Sequence, residues 1–326
     1  MNEKHIEVLQ QYELENRNVR RGRGAWICET DHGFKLLREY KGTVKRLEFE
    51  EEVLAFLEQQ GYPYVDNYMR NKEDQLISTA DDGTRFIVKN WFVDRECDSR
   101  DVGEVMKAVT QIASLHRLMR EIQFREEWSM GSTLGQSPRL DMDRHNKELK
   151  RARSYIRGKR KKTEFELCVI GSFSAFYRQA EEALEGMERL EESVPDISHF
   201  LCHGDLDQHH ILMGNRYIAV TEFNKMHTGI QMTDLYHFMR KIMEKHSWNL
   251  ALGTAMLEAY DRILPMNRKE RDCLYYLFLY PEKYWKQINF YYNANKAWIP
   301  VRNIEKLRNL EQQEENRKLF LNELKQ

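Results

Sequence analysis

Glycine and proline are scarce here, at 16 Gly and 6 Pro in 326 residues, where a combined share of about 12% is usual. A protein built from many short strands needs a turn roughly every ten residues, so the shortage argues for long helices with few breaks. No apolar run approaches the ~20 residues of a membrane span, and the longest strongly apolar piece, LYYLFLY at 274–280, has the character of a buried helix. The opening MNEKHIEVLQQYELENRN is polar and holds no stretch of secretory length. Cysteines number 5, an odd count, widely spaced and without a C-x-x-C pair. That argues against a disulfide framework or a structural zinc site and points to a reducing cytoplasm, with the thiols as small core residues.

Net charge is the other thing missing. The 51 Lys+Arg and 52 Asp+Glu cancel to a formal −1, which argues against a nucleic-acid binder whose affinity comes from a large positive excess. An aromatic content of 11% excludes an acidic solvating tail. The balance conceals one basic segment, Lys147–Lys162, with nine Lys/Arg and a single acid, Glu148. It fits an acidic protein partner, although charge runs more often mark a solvated helix and loop.

Along the chain, a short helix at about 4–13 precedes a glycine cluster, VRRGRGAW at 19–26. Two β-like segments follow, AWICET and GFKLLREY, joined at the turn Asp31-His32-Gly33. From Thr43 to Gln60 the period becomes helical, with Leu47, Val53, Leu54 and Leu57 on one stripe. Further β-like pieces come at Tyr64–Met69 with DQLIST, and at TRFIVKNWF. Beyond residue 98 helices dominate, at 100–120, twice within 139–191, and in five pieces from 231 to 324. One β-rich interruption breaks them at 199–224. This outline predicts an α+β fold: a small β-rich lobe over 1–92, and a helical lobe over 93–326 that carries the hairpin. It is the outline of a two-lobed protein-kinase-like fold.

The segment Cys202-His-Gly-Asp-Leu-Asp-Gln-His-His-Ile-Leu212 carries the chemistry. Gly204 permits a sharp turn and exposes Asp205 on a loop. Phosphoryl transfer needs such a carboxylate beside the acceptor hydroxyl, to accept its proton and orient it. A second carboxylate must face the triphosphate to hold Mg²⁺, and the returning strand delivers Glu222, 17 positions after Asp205. His203, His209 and His210 invite a zinc reading, but adjacent His209 and His210 diverge in an extended segment. Loop bracing is the better assignment.

HGD, an Ile-Leu strand and an acidic-Phe turn resemble the aminoglycoside and choline phosphotransferase-like kinases. With VRRGRGAW, ETDHGFKLLREYKG, RLEFEEEVLAFL, DDGTRFIVKNWFVDREC, TDLYHFMRKIMEKHSWN and YPEKYWKQINFYYNANKAW, the chain is similar to the CotS family of spore coat-associated proteins. The resemblance runs from about Tyr12 to the last helix. It implies a sporulation role in the mother-cell cytoplasm and then the coat, with other coat proteins as partners and ATP and Mg²⁺ as cofactors.

By that resemblance Asp205 is the catalytic aspartate and Glu222 replaces the metal-binding aspartate. His210 stands where active relatives have Asn, and an imidazole is a poor ligand for hard Mg²⁺. Arg38, on one strand face with Phe34 and Leu36, takes the place of the phosphate-holding lysine, with Glu50 as its expected ion-pair partner. Gly22 and Gly24 form a shortened phosphate loop, while Trp91 and Phe92 fall near the adenine hinge. The altered ligands imply a pseudokinase or atypical kinase acting in coat assembly. The alternative is an active ATP-dependent phosphotransferase acting on a small-molecule hydroxyl or a coat protein. The aromatic series Tyr275, Tyr276, Phe278, Tyr280, Tyr284, Trp285, Phe290, Tyr291, Tyr292 and Trp298 has the spacing of packed helices, with an acceptor cage as the alternative.

Overall fold

The structure, a computed structural model, describes residues 4–22, 24–192, 199–293 and 301–325. It divides into two compact units, Met1–Leu134 with Phe200–Thr228, and Gly135–His199 with Gly229–Gln326. The boundary expected at residue 92 falls inside the first unit, and the hairpin strands expected to go with the helical lobe group with the N-terminal sheet.

In the first unit, β1 (Asn16–Gly22), β2 (Ala25–Thr30) and β3 (Gly33–Glu39) form an antiparallel meander. The short strands β4 (Tyr68–Met69) and β5 (Ser78–Thr79) both pair with β6 (Arg85–Asn90), which pairs in turn with β3. The residue pattern predicts no strand before Ala25. β1 is almost wholly exposed and has no apolar alternation, so the ladder to β2 defines it and side-chain burial does not. Elsewhere the period of two sorts residues onto two faces. Cys28, Leu37, Phe86 and Val88 pack under Val8 and Leu9 of α1 (Lys4–Leu9) and under Tyr12. Ala25, Ile27, Leu36 and Trp91 cluster together, with Phe34 against them.

The helix α2 (Val44–Gln59) begins at Thr43, whose hydroxyl accepts the Arg46 N–H at 3.2 Å. It stops where Gly61 adopts φ +80° and the Tyr62 N–H closes on the Leu57 carbonyl at 2.9 Å. Its stripe Leu47, Val53, Leu54 and Leu57 is fully buried, as the periodicity predicts. Asp101 caps α3 (Val102–Glu121). The hairpin strands β9 (Ile211–Met213) and β10 (Ile218–Val220) pair antiparallel, with β7 (Arg95–Glu96) on the other side of β9. β8 (Phe200–Cys202) pairs with β11 (His227–Gly229).

The second unit is helical: α4 (Pro138–Gly158), α5 (Glu164–Glu192), α6 (Met232–Lys245), α7 (Leu250–Ile263), α8 (Arg268–Leu279), α9 (Glu282–Asn293) and α10 (Val301–Leu324). Leu149, Ile156, Phe165, Phe173, Tyr284 and Tyr291 share one core. Tyr284 and Tyr291 of the aromatic series are therefore packing residues, whereas Trp298 lies outside the described residues. Among the described residues no helix is long and apolar enough to cross a membrane.

Glu166 organises the turn between α4 and α5. Its carboxylate accepts the Thr163 N–H at 2.7 Å while the Thr163 hydroxyl accepts the Glu166 N–H at 3.3 Å, a reciprocal cap. The Lys159 ammonium and the Tyr291 hydroxyl complete its shell. Burial alone would raise this carboxyl, but Lys159, Tyr291 and the Thr163 N–H together hold it below its ordinary 4.5. A carboxyl depressed in the folded state contributes stability above its unfolded value, and that contribution is lost as pH falls through the folded value. Glu166→Gln is expected to lower Tm at pH 7 and to narrow the difference in Tm between pH 7 and pH 3, read by scanning calorimetry. An unchanged difference would remove Glu166 from the acid response.

Candidate functional site

The strand β3 carries Arg38 on the same face as Leu36 and Phe34, and its guanidinium donates to both Glu222 oxygens at 2.7 and 2.6 Å. This is a bidentate pair joining residues 184 positions apart. It corrects the expected pairing of Arg38 with Glu50. Glu50 instead takes Arg46, one helical turn earlier on α2, and the hydroxyl of Tyr68. The remaining N–H groups of Arg46 reach the carbonyls of Ser132 and Asn224 at 2.9 and 3.1 Å. Lys35 faces the other way and binds the His32 carbonyl and Asn90, each at 2.8 Å.

Glu222 has φ +70° and ψ +47°, a left-handed backbone on a non-glycine residue. Such a conformation costs on the order of 1–3 kcal/mol and persists only where its surroundings impose it. Here the Glu222 N–H is held by Asp66 at 3.0 Å, and the same Asp66 oxygen accepts Lys89 Nζ at 2.8 Å. Asp66 and Lys89 are 0% and 2% exposed, so each needs the other as a counter-ion. Burial pushes the Asp66 carboxyl up, against the pull of Lys89 and the Glu222 N–H. Burial acts the same way on Glu222, but Arg38 outweighs it and leaves that carboxyl below its ordinary value.

Asp205 sits on a loop braced by two histidines. His203 is fully buried; its Nε2 donates to the Thr221 carbonyl at 3.0 Å, so Nδ1 is free to accept the Asp205 N–H at 3.3 Å. His210 Nδ1 lies 2.6 Å from the Asp205 carbonyl and closes the loop from its far end. His209 turns away to Glu96, but from a turn in which the His210 N–H reaches the Asp207 carbonyl at 3.1 Å, not from the extended segment expected. Gly204 takes φ +82°, and a Cβ there would lie 2.2 Å from the Lys225 carbonyl oxygen. The Asp205 carboxylate is 38% exposed and accepts Lys225 Nζ at 2.7 Å.

The remaining expected residues are dispersed. Gly22 pairs with Ala25 across the β1–β2 turn, and Gly24 adopts φ +70° there. Trp91 is buried against Leu36 and Ile27, with its N–H on the Phe34 carbonyl at 2.9 Å. Phe92 joins a different group, 5.7 Å from Tyr217, which stacks on Tyr64 at 4.4 Å. Asp66, Lys89, Tyr68, Arg46 and Lys225 were not expected from the residue pattern. The donors do not suit Mg²⁺: both Glu222 oxygens are taken by Arg38, and His210 offers nitrogen where oxygen is required. Among the described residues no three His, Cys, Asp or Glu gather into a metal-binding group.

This arrangement of sheet, hairpin and helices is a kinase-like α+β fold. It is similar to the crystal structure of an aminoglycoside phosphotransferase from Alicyclobacillus acidocaldarius, with a TM-score of 0.84 and 16% identity over 97% of this chain and 94% of that one. An AMP-bound spectinomycin phosphotransferase is similar at TM-score 0.67 and 12% identity, over 94% and 93% of the two chains. The chain belongs to the family described as "Spore coat putative kinase YutH", whose model matches residues 5–324. It is also 22% identical to spore coat protein S of Bacillus subtilis, covering 93% of this chain and 87% of that protein.

The pair of Arg38 and Glu222 invites a double-mutant cycle. Breaking a buried pair from one side leaves an uncompensated charge and costs about 3–5 kcal/mol. The lower end applies here, because the Arg38 side chain remains 24% exposed. Arg38→Met and Glu222→Gln are each expected to lower the free energy of urea unfolding by about 3 kcal/mol, and the double variant by much less than the sum. Additive losses would show that the two side chains act separately. Gly204→Ala is expected to destabilise by more than 1 kcal/mol, because both its φ and the Lys225 carbonyl oppose a Cβ. Chemical denaturation reads this directly, and wild-type stability would mean that the loop relaxes.

Proposed function

We propose that this chain is a spore coat-associated protein of sporulation that works by binding on a kinase-like scaffold, holding nucleotide without efficient turnover. Its place is the mother-cell cytoplasm and then the coat, with other coat proteins as partners. Family membership and the likeness to spore coat protein S support that setting. The observation that carries the pseudokinase reading is the bidentate Arg38–Glu222 pair. The phosphate-clamp and metal-ligand positions satisfy one another, so the charge a kinase directs at triphosphate and metal is spent within the protein. In this reading the apolar face of Ala25, Ile27, Leu36 and Trp91 receives the base, and Gly22 and Gly24 flank the phosphates. Phe92 serves packing, beside Tyr217. The AMP-bound structural relative supports a nucleotide as ligand.

One observation favours an active phosphotransferase. Asp205 stands on a loop fixed by His203 and His210 with its carboxylate partly open to solvent, which is what a proton-accepting group beside an acceptor hydroxyl requires.

Thermal unfolding with millimolar ATP separates the two readings, because a ligand of the folded state alone stabilises it by RT ln(1 + [L]/Kd), about 1.4 kcal/mol at tenfold excess. The expected result is a rise in Tm that is equal in EDTA and in Mg²⁺, with no ADP released. No rise under either condition would overturn nucleotide binding. Metal-dependent ADP release that disappears in Asp205→Asn would replace the binding reading with the enzymatic one.

A further inference from the structure

Among the described residues four cations gather at the candidate site, and three of them are committed. Arg38 is held by Glu222, Arg46 by Glu50 and Lys89 by Asp66. The side chains of Arg46 and Lys89 are 9% and 3% exposed, and those of their carboxylate partners 3% and 1%. Opening any of these pairs strands a charge at a cost of about 3–5 kcal/mol. Lys225 is different. Its side chain is 58% exposed and its partner Asp205 38%, and an exposed pair of this kind is worth about 0–1 kcal/mol. An anion arriving at the site can therefore exchange with Asp205 for the Lys225 ammonium at little cost.

The backbone under Lys225 is anything but loose. It ends the 3₁₀ turn Phe223–Lys225, which follows Glu222 directly. Phe223 is fully buried, with its ring 4.6 Å from that of His203. Arg46 holds the Asn224 carbonyl at 3.1 Å. The Lys225 carbonyl accepts His227 Nδ1 at 2.9 Å and closes against Gly204, where no side chain fits. The turn is anchored on each side, and the lysine side chain is its exposed part. It reaches Asp205, whose carboxylate has no buried counter-ion among the described residues.

Resting on the nucleotide-binding reading above, we propose that Lys225 is the phosphate-binding group of this site and meets a nucleotide phosphate with an ammonium where a metal ion would otherwise be needed. The misfit between the donor set and Mg²⁺ and the presence of an exchangeable cation beside Asp205 then have one explanation. The ligand class is a phosphate ester or anhydride anion, and binding is independent of divalent metal.

Isothermal titration in EDTA tests this with ATP, adenosine and inorganic pyrophosphate as probes, on the wild type, Lys225→Gln and Lys225→Arg. In Lys225→Gln, ATP affinity is expected to fall at least tenfold while adenosine affinity stays unchanged; Lys225→Arg should recover most of the loss. Equal ATP affinity in wild type and Lys225→Gln would overturn the role of Lys225 and leave nucleotide binding intact. Pyrophosphate binding that needs Lys225, with no gain from the nucleoside, would uphold the lysine and overturn the nucleotide. A wild type that binds none of the three probes would overturn both. Because Lys225 is exposed, the thermal stability of the free variants is expected to match the wild type, so folding does not confound the comparison.

Discussion

The first unit depends on charges that it has taken out of water and matched one to one. Arg38, Arg46 and Lys89 answer Glu222, Glu50 and Asp66. Desolvating such groups costs several kcal/mol each, and well-packed apolar residues would often be as stable. Their effect is better described as positional. Asp66 holds the Glu222 N–H and so imposes the left-handed backbone that turns the Glu222 carboxylate to Arg38. Arg46 ties α2 to the same turn through Asn224. Helix, sheet and turn are tied together by the protein's own side chains.

Arg38 and Glu222 belong together by their geometry. A glutamate extends one methylene further than an aspartate, and an arginine offers a planar fork where a lysine offers a point charge. The pair of Arg38 and Glu222 engages both carboxylate oxygens. Either side chain without the other would leave a partly buried charge unpaired.

Much of the fold was legible because it follows period and punctuation. The helices of both units, the β2–β3 turn at Gly33 and the end of α2 at Gly61 stand where spacing and glycine placed them. The HGD segment and Glu222 were legible as local motifs. The pairing of Glu50 was not, because choosing between Arg38 and Arg46 requires knowing where Glu222 folds back to. A usable signal existed, since Arg46 and Glu50 are four residues apart on a helix. Lys89 carried a signal as well: a lysine inside the apolar run Phe86-Ile-Val88 to Trp91 must find a buried anion. Its partner Asp66 lies 23 positions away, and nothing local names it. β1 escaped notice because it has no buried face, and pattern reading detects burial.

That same strand bears on how this protein can meet another. β1 is the last strand on its side of the sheet, a row of backbone donors and acceptors open to a neighbour's strand. Its register is broken between Asn16 and Asn18, and it presents Arg17, Arg20 and Arg21 outward. A bulge and like charges are the means by which edges are kept from growing. Such an edge leaves side-chain surfaces as the permitted route by which another protein could attach.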